Sequence, residues 1–217
     1  MAKIRKKVRV KKDNIFICFL ILVLIGLIIS MVVLAKKTLK KEKATVAETQ
    51  VVDKLDEYGY YLTDHNTDYY KSLYNELKDI LSADKVDEEK YASLLAQLFV
   101  ADFYDLNSKL SKSDVGGVQF ISSNYQDEFI KTASTTGGIY YYVKSNLYGD
   151  RKQELPVVKK VEILTVKNEL FEHEQIKDPK AYVITLNVEY EKDLGYPKTV
   201  VLTMVHNEKK LEIVEVK

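Results

Sequence analysis

Hydrophobic positions take three forms in turn along this chain of 217 residues. From Ile15 to Ala35 they are continuous, 21 residues without a charge, sixteen of them Ile, Leu, Val or Phe. At ~1.5 Å per residue such a helix reaches about 31 Å, enough for a hydrocarbon core of about 30 Å. The run is expected to be a transmembrane helix, since each of those residues favours insertion. It is also longer than the apolar core of a cleaved signal peptide, so an anchor is preferred.

From Ala44 to about residue 148 the spacing is mostly helical. Ala44–Glu57 reads as a juxtamembrane helix with Val51, Val52 and Leu55 as its apolar stripe, within a linker over 36–57. Tyr58, Tyr60 and Leu62 alternate and predict a short strand. A helix follows over Asp68–Leu81, with Thr67 or Asn66 as cap and Tyr70, Leu73, Leu77 and Ile80 on one face. The widest stripe, Tyr91, Leu94, Leu95, Leu98, Phe99, Phe103, Leu106 and Leu110, predicts the main core helix over Asp87–Lys109. Asp114–Val118 breaks it, and Gly116-Gly117 suit a tight connection. Ser123 and Gln126 have capping-box spacing, so a helix is expected from about Asn124, turning Tyr125, Phe129 and Ala133 inward. The stretch 136–148 is aromatic enough for a strand, but Tyr140, Val143 and Leu147 favour a resumed helix.

After Val157 the period drops to two. Strands are expected over Val157–Leu170, Ala181–Glu191, Thr199–His206 and Leu211–Val216, with Asp178-Pro179, Asp193–Gly195 and Asn207–Lys210 as turns. Short links make these neighbours antiparallel. The expected class is α+β: an N-terminal transmembrane helix, then several helices packed on a curved four- to five-stranded antiparallel sheet ending in a meander. The expected divisions are a basic cytoplasmic tail over 1–14, the span over 15–35, the linker over 36–57 and an extracytoplasmic domain over 58–217.

Charge sets the orientation and narrows the partners. Seven Lys and Arg lie in the first twelve residues, and five Lys flank the other end of the apolar run. That excess places the N-terminus in the cytoplasm and the remainder outside. Residues 44–217 carry 21 Lys or Arg against 30 Asp or Glu, a formal charge of −9. An acidic domain argues against nucleic acid as a partner. Cys18, the only cysteine, lies inside the apolar run, so no intrachain disulfide and no cysteine-ligated metal cluster can form. Cys18, Leu22, Gly26 and Ser30 recur every four residues, and Gly26 with Ser30 has the small-xxx-small spacing that lets two helices approach. A homo-oligomer would use that side.

Helices first and an antiparallel meander last is an order similar to the nuclear transport factor 2-like, cone-shaped α+β fold. With one membrane helix ahead of it, the chain resembles the single-pass scaffold subunits of type IV secretion and conjugation machines. The Asn-Pro-x-Gly self-association loop of such subunits has no counterpart here, and no functional residue is carried over.

Few residues suggest chemistry. His65, His173 and His206 have no partner at metal-ligand spacing, and Glu172-His173-Glu174 reads as a solvated charged turn rather than a cation site. Asp102 shares the helical face of Leu95, Leu98 and Leu106, so its carboxylate is expected to be buried. A buried Asp with a raised pKa would suit proton abstraction in a lyase or isomerase. The structural alternative is that Asp102 accepts hydrogen bonds from a tyrosine or from loop amides. Tyrosines cluster at 58–61, 69–74 and 140–142, where they could stack on wall sugars, although core packing accounts for them as well. No cofactor is expected. The leading expectation is a non-enzymatic membrane-anchored scaffold whose partners are the bilayer and other envelope proteins. A domain binding a small ligand or wall glycan is the second.

Overall fold

From residue 49 onward two strands come first, one where a helix is expected and one where the alternation of Tyr58, Tyr60 and Leu62 predicts a strand. The computed structural model describes residues 30–31 and 49–217. The apolar run, with Cys18, Leu22 and Gly26, lies outside the described residues apart from Ser30 and Met31, which are helical and exposed. Among the described residues no helix is long and apolar enough to cross a membrane.

Strand β1 (Val51–Leu55) pairs antiparallel with β2 (Tyr60–Thr63), Leu55 facing Tyr60 across the turn. Over 51–55 this corrects the juxtamembrane helix expected for 44–57, of which 44–48 lie outside the described residues. The β-branched pair Val51-Val52 favours extended backbone, and Gly59 closes the turn at a φ of 71° while donating to the Leu55 carbonyl at 2.8 Å. Helix α1 (Asp68–Leu81) begins as expected, with the Thr67 side chain accepting from the Tyr70 N–H. Helix α2 (Glu88–Phe103) is capped by Asp87, with Glu88 and Glu89 at its positive end. It is buried on most sides, packed between α1 and the faces of β3, β4 and β5.

Helix α2 stops six residues earlier than its apolar stripe suggested. The Asp105 carboxylate accepts the Ser108 N–H at 3.0 Å and the Val158 N–H at 3.0 Å. A local side-chain acceptor of this kind competes with helical bonding. Leu106–Ser108 becomes a 3-10 turn, and Leu106 reaches the core from there. Helix α3 (Gln126–Ser134) starts two residues late, without a capping box, because the Gln126 amide donates instead to the Val118 and Ile121 carbonyls. The helix expected over 136–148 is absent: that stretch is a series of turns, with Gly137 at a φ of 95°. Hydrogen bonding of Tyr140 to other segments fixes its course.

The sheet is four-stranded and antiparallel in the order β3 (Val158–His173), β4 (Ile176–Tyr190), β5 (Thr199–Asn207) and β6 (Lys210–Val216), the expected meander. The β1–β2 pair forms a separate sheet instead of adding a fifth strand. The first turn falls at Glu174-Gln175 rather than Asp178-Pro179. Pro179, which cannot donate to the ladder, sits instead where the β3–β4 register slips between Glu169 and Phe171.

Between helices and sheet the space is filled. Leu95, Leu98 and Phe99 of α2 and Ile184, Leu186, Leu202, Met204 and Ile213 of the sheet are all fully buried. The Tyr60 and Tyr91 hydroxyls meet at 2.6 Å; Tyr60 donates to the Leu211 carbonyl and Tyr91 accepts the Leu211 N–H. One tyrosine pair thus ties β2, α2 and β6 together. Burial pushes the Tyr91 hydroxyl up to about 12.

Candidate functional site

Asp102 lies in the last turn of α2, and the fold brings two partners to it. The Lys109 ammonium, one residue past the 3-10 turn, is paired with its Oδ1. The Gly117 N–H donates to its Oδ2 at 2.7 Å. Both side chains are largely withdrawn from water, 13% exposed for Asp102 and 8% for Lys109. Asp102 is therefore largely but not wholly buried at the edge of the stripe, and a loop amide is one of its partners. Burial alone would pull Lys109 down, but Asp102, with Asp114 and Asp105, outweighs it and holds the ammonium above the ordinary lysine value.

Three further groups hold this loop in place. Tyr140 Oη donates to the Phe103 carbonyl at 2.7 Å and accepts the Gly116 N–H at 3.0 Å. Arg151 donates from Nη1 to the Lys109 carbonyl at 2.8 Å and from Nη2 to the Asn107 carbonyl at 2.5 Å. The Asp114 carboxylate accepts the Leu110 N–H at 2.8 Å. Gly116 runs so close to α2 that an added Cβ would lie 2.4 Å from the Asp102 carbonyl oxygen. Gly116→Ala is expected to destabilise by about 1–3 kcal/mol through overpacking against backbone, measurable as an earlier denaturation midpoint with unchanged slope.

Beside the ion pair is a cavity of about 110 Å³, walled by Asp102, Lys109, Asp114, Tyr61, Asn66 and His65 among others. Gln119 anchors the hairpin side of it, accepting the Tyr61 N–H and donating to the Tyr61 carbonyl and the Tyr70 hydroxyl. In this way a glutamine side chain serves β2 as a strand neighbour. His65 Nε2 is buried there without a hydrogen-bond partner among the described residues, and lies 3.7 Å from Asp64 Oδ1.

The other histidines lie elsewhere. His206 Nδ1 is 2.7 Å from Asp178 Oδ2 and its Nε2 is 3.3 Å from Glu88 Oε1, which joins β4, β5 and the start of α2. The His206 and Lys180 backbone N–H groups also donate to Asp178, and together these contacts outweigh burial and hold its carboxyl below the ordinary value. His173 ends β3 in an exposed hairpin, where Glu172 pairs with Lys177 at 2.9 Å. Among the described residues no three His, Cys, Asp or Glu side chains are grouped as metal ligands. Tyr60, Tyr70, Tyr74 and Tyr140 are core residues, and of the clusters considered for sugar stacking Tyr142 is the most exposed.

The sequence pointed to Asp102 but not to Lys109, Asp114, Tyr61 or Arg151. One signal for Lys109 was present: a lysine between Leu106 and Leu110 sits on an otherwise apolar stripe. Comparison with protein-family models, with curated proteins and with solved structures gives no match for this chain.

Proposed function

We propose that the chain is a membrane-tethered, non-enzymatic scaffold or assembly module of a bacterial envelope, secretion or conjugation complex, its α+β domain on the extracytoplasmic side. One observation carries the reading: the interior between α2 and the sheet, where a cone-shaped domain would hold a substrate, is packed with Leu95, Leu98, Phe99, Ile184 and Leu202. The apolar run over 15–35 and the resemblance in element order support the tether and the class of assembly. A domain held by one helix is confined to two dimensions, which raises its effective concentration for weak contacts.

In-membrane crosslinking of the full-length protein, with partners identified by mass spectrometry, is expected to recover a larger complex. A lone monomer under the same conditions would remove the reading. Orientation has its own test. Single cysteines placed at exposed positions such as Leu170 or Tyr148 are expected to react with an impermeant thiol reagent in intact cells, and labelling only after lysis would reverse it.

A further inference from the structure

We propose that the cavity beside the Asp102–Lys109 pair binds a small zwitterion, an ammonium and a carboxylate joined by one carbon, of the size of glycine or alanine. The inference is independent of the scaffold reading. Lys109 has three N–H donors, and among the described residues only Asp102 accepts from it. A buried ammonium left with two unmatched donors calls for further acceptor oxygens. The Tyr61 hydroxyl and the Asn66 amide nitrogen donate to no protein group among the described residues. His65 Nε2 adds a buried, unpartnered ring nitrogen to the same wall. This side of the cavity therefore has donors to spare and suits a carboxylate.

The charge balance excludes a bare anion. Asp102, Asp114 and Lys109 sum to one negative charge, and Asp114 spends one oxygen on the Leu110 N–H while the other has no donor among the described residues. An anion alone would be repelled by Asp114, and a cation alone would face the Lys109 ammonium. A zwitterion meets both, its carboxylate on Lys109, Tyr61 and Asn66 and its ammonium on Asp114. The volume limits the ligand. About 110 Å³ is available, somewhat less than the ~150 Å³ of cavity that holds a benzene ring, which suits a ligand of about five or six heavy atoms.

The test is titration calorimetry of the full-length chain in nonionic detergent with glycine, L-alanine, acetate and methylammonium. Saturable binding of glycine or alanine, with neither acetate nor methylammonium binding comparably, is the expected result. Asp114→Asn keeps an acceptor for Leu110 but removes the charge, and should weaken binding about tenfold or more. Tyr61→Phe, which breaks no protein hydrogen bond of that hydroxyl, should weaken it as well and serves if Asp114→Asn does not fold. Acetate binding as well as glycine would leave an anion site only, and methylammonium binding as well would leave a cation site. Either result overturns the proposal, as do the absence of binding at millimolar concentration and binding that neither variant weakens.

Discussion

Lys109→Met is expected to lower the unfolding free energy by about 3–5 kcal/mol, the usual cost of leaving a buried charge without its partner. For a chain of this size that corresponds to a fall in Tm of roughly 6–20 °C. The cause is Asp102, which among the described residues keeps only the Gly117 N–H once the ammonium is gone. The double variant Asp102→Leu with Lys109→Met separates this cost from the value of the pair. Replacing both charges by apolar groups is often neutral or stabilising, although Gly117 would then lack an acceptor, at about 1–3 kcal/mol. The double variant is therefore expected to be more stable than Lys109→Met alone. If it unfolds at the same denaturant concentration or lower, the pair is worth more than its desolvation cost. The pH dependence has a definite sign. Because the folded state raises the Lys109 pKa, its contribution is complete below the ordinary lysine value of 10.5. It is lost as pH rises through the raised value.

Tyr140→Phe removes a single oxygen and is expected to cost nearly as much. That oxygen serves two backbone groups, the Phe103 carbonyl and the Gly116 N–H, in a side chain that is fully buried. Each group left unsatisfied costs about 1–3 kcal/mol. The ring still packs against Phe103, at 5.4 Å between centroids, so the loss is polar and leaves no cavity. Denaturant unfolding should show a lower midpoint with unchanged slope, since the surface exposed on unfolding stays the same. A variant as stable as the parent would mean that water replaces the hydroxyl at Gly116 and Phe103.

What could be read from the chain follows how local each signal is. The helix starts at Thr67 and Asp87 and the four-stranded meander rest on capping and on alternation, both local, and the structure has them. Misplaced boundaries have non-local causes. Helix α2 ends where Asp105 finds the N–H of Val158, 53 residues away. The 136–148 stretch is held in turns by Tyr140, whose partners lie 24 and 37 residues back. Strand β1 was hidden because Val51, Val52 and Leu55 fit a helical stripe as well as a strand, whereas the alternation that gives β2 was legible. At the candidate site, Asp102 stood out as a carboxylate on an apolar face. Lys109 was legible only as a lysine on the same stripe, and Asp114 and Tyr61 not at all, because turns in the backbone rather than regular spacing bring them to it.

The two outer strands of the four-stranded sheet are treated differently from each other. Along β6 the backbone at Ile213 is taken up by Ile121 and Ser122, which form a parallel bridge and a 2.9 Å hydrogen bond. Strand β3 is longer and less covered. At Val161 the Tyr69 hydroxyl accepts its N–H and the Gln97 amide donates to its carbonyl. Beyond that point its pairing with β4 is irregular between Ile163 and Thr165 and again between Glu169 and Phe171, and Leu164 and Leu170 lie exposed there. Bulged and charged margins of this kind resist the open-ended strand addition that leads to fibres. Copies of the domain can then meet repeatedly without polymerising through strand edges, which leaves any ordered assembly to be set by side-chain surfaces and to remain reversible.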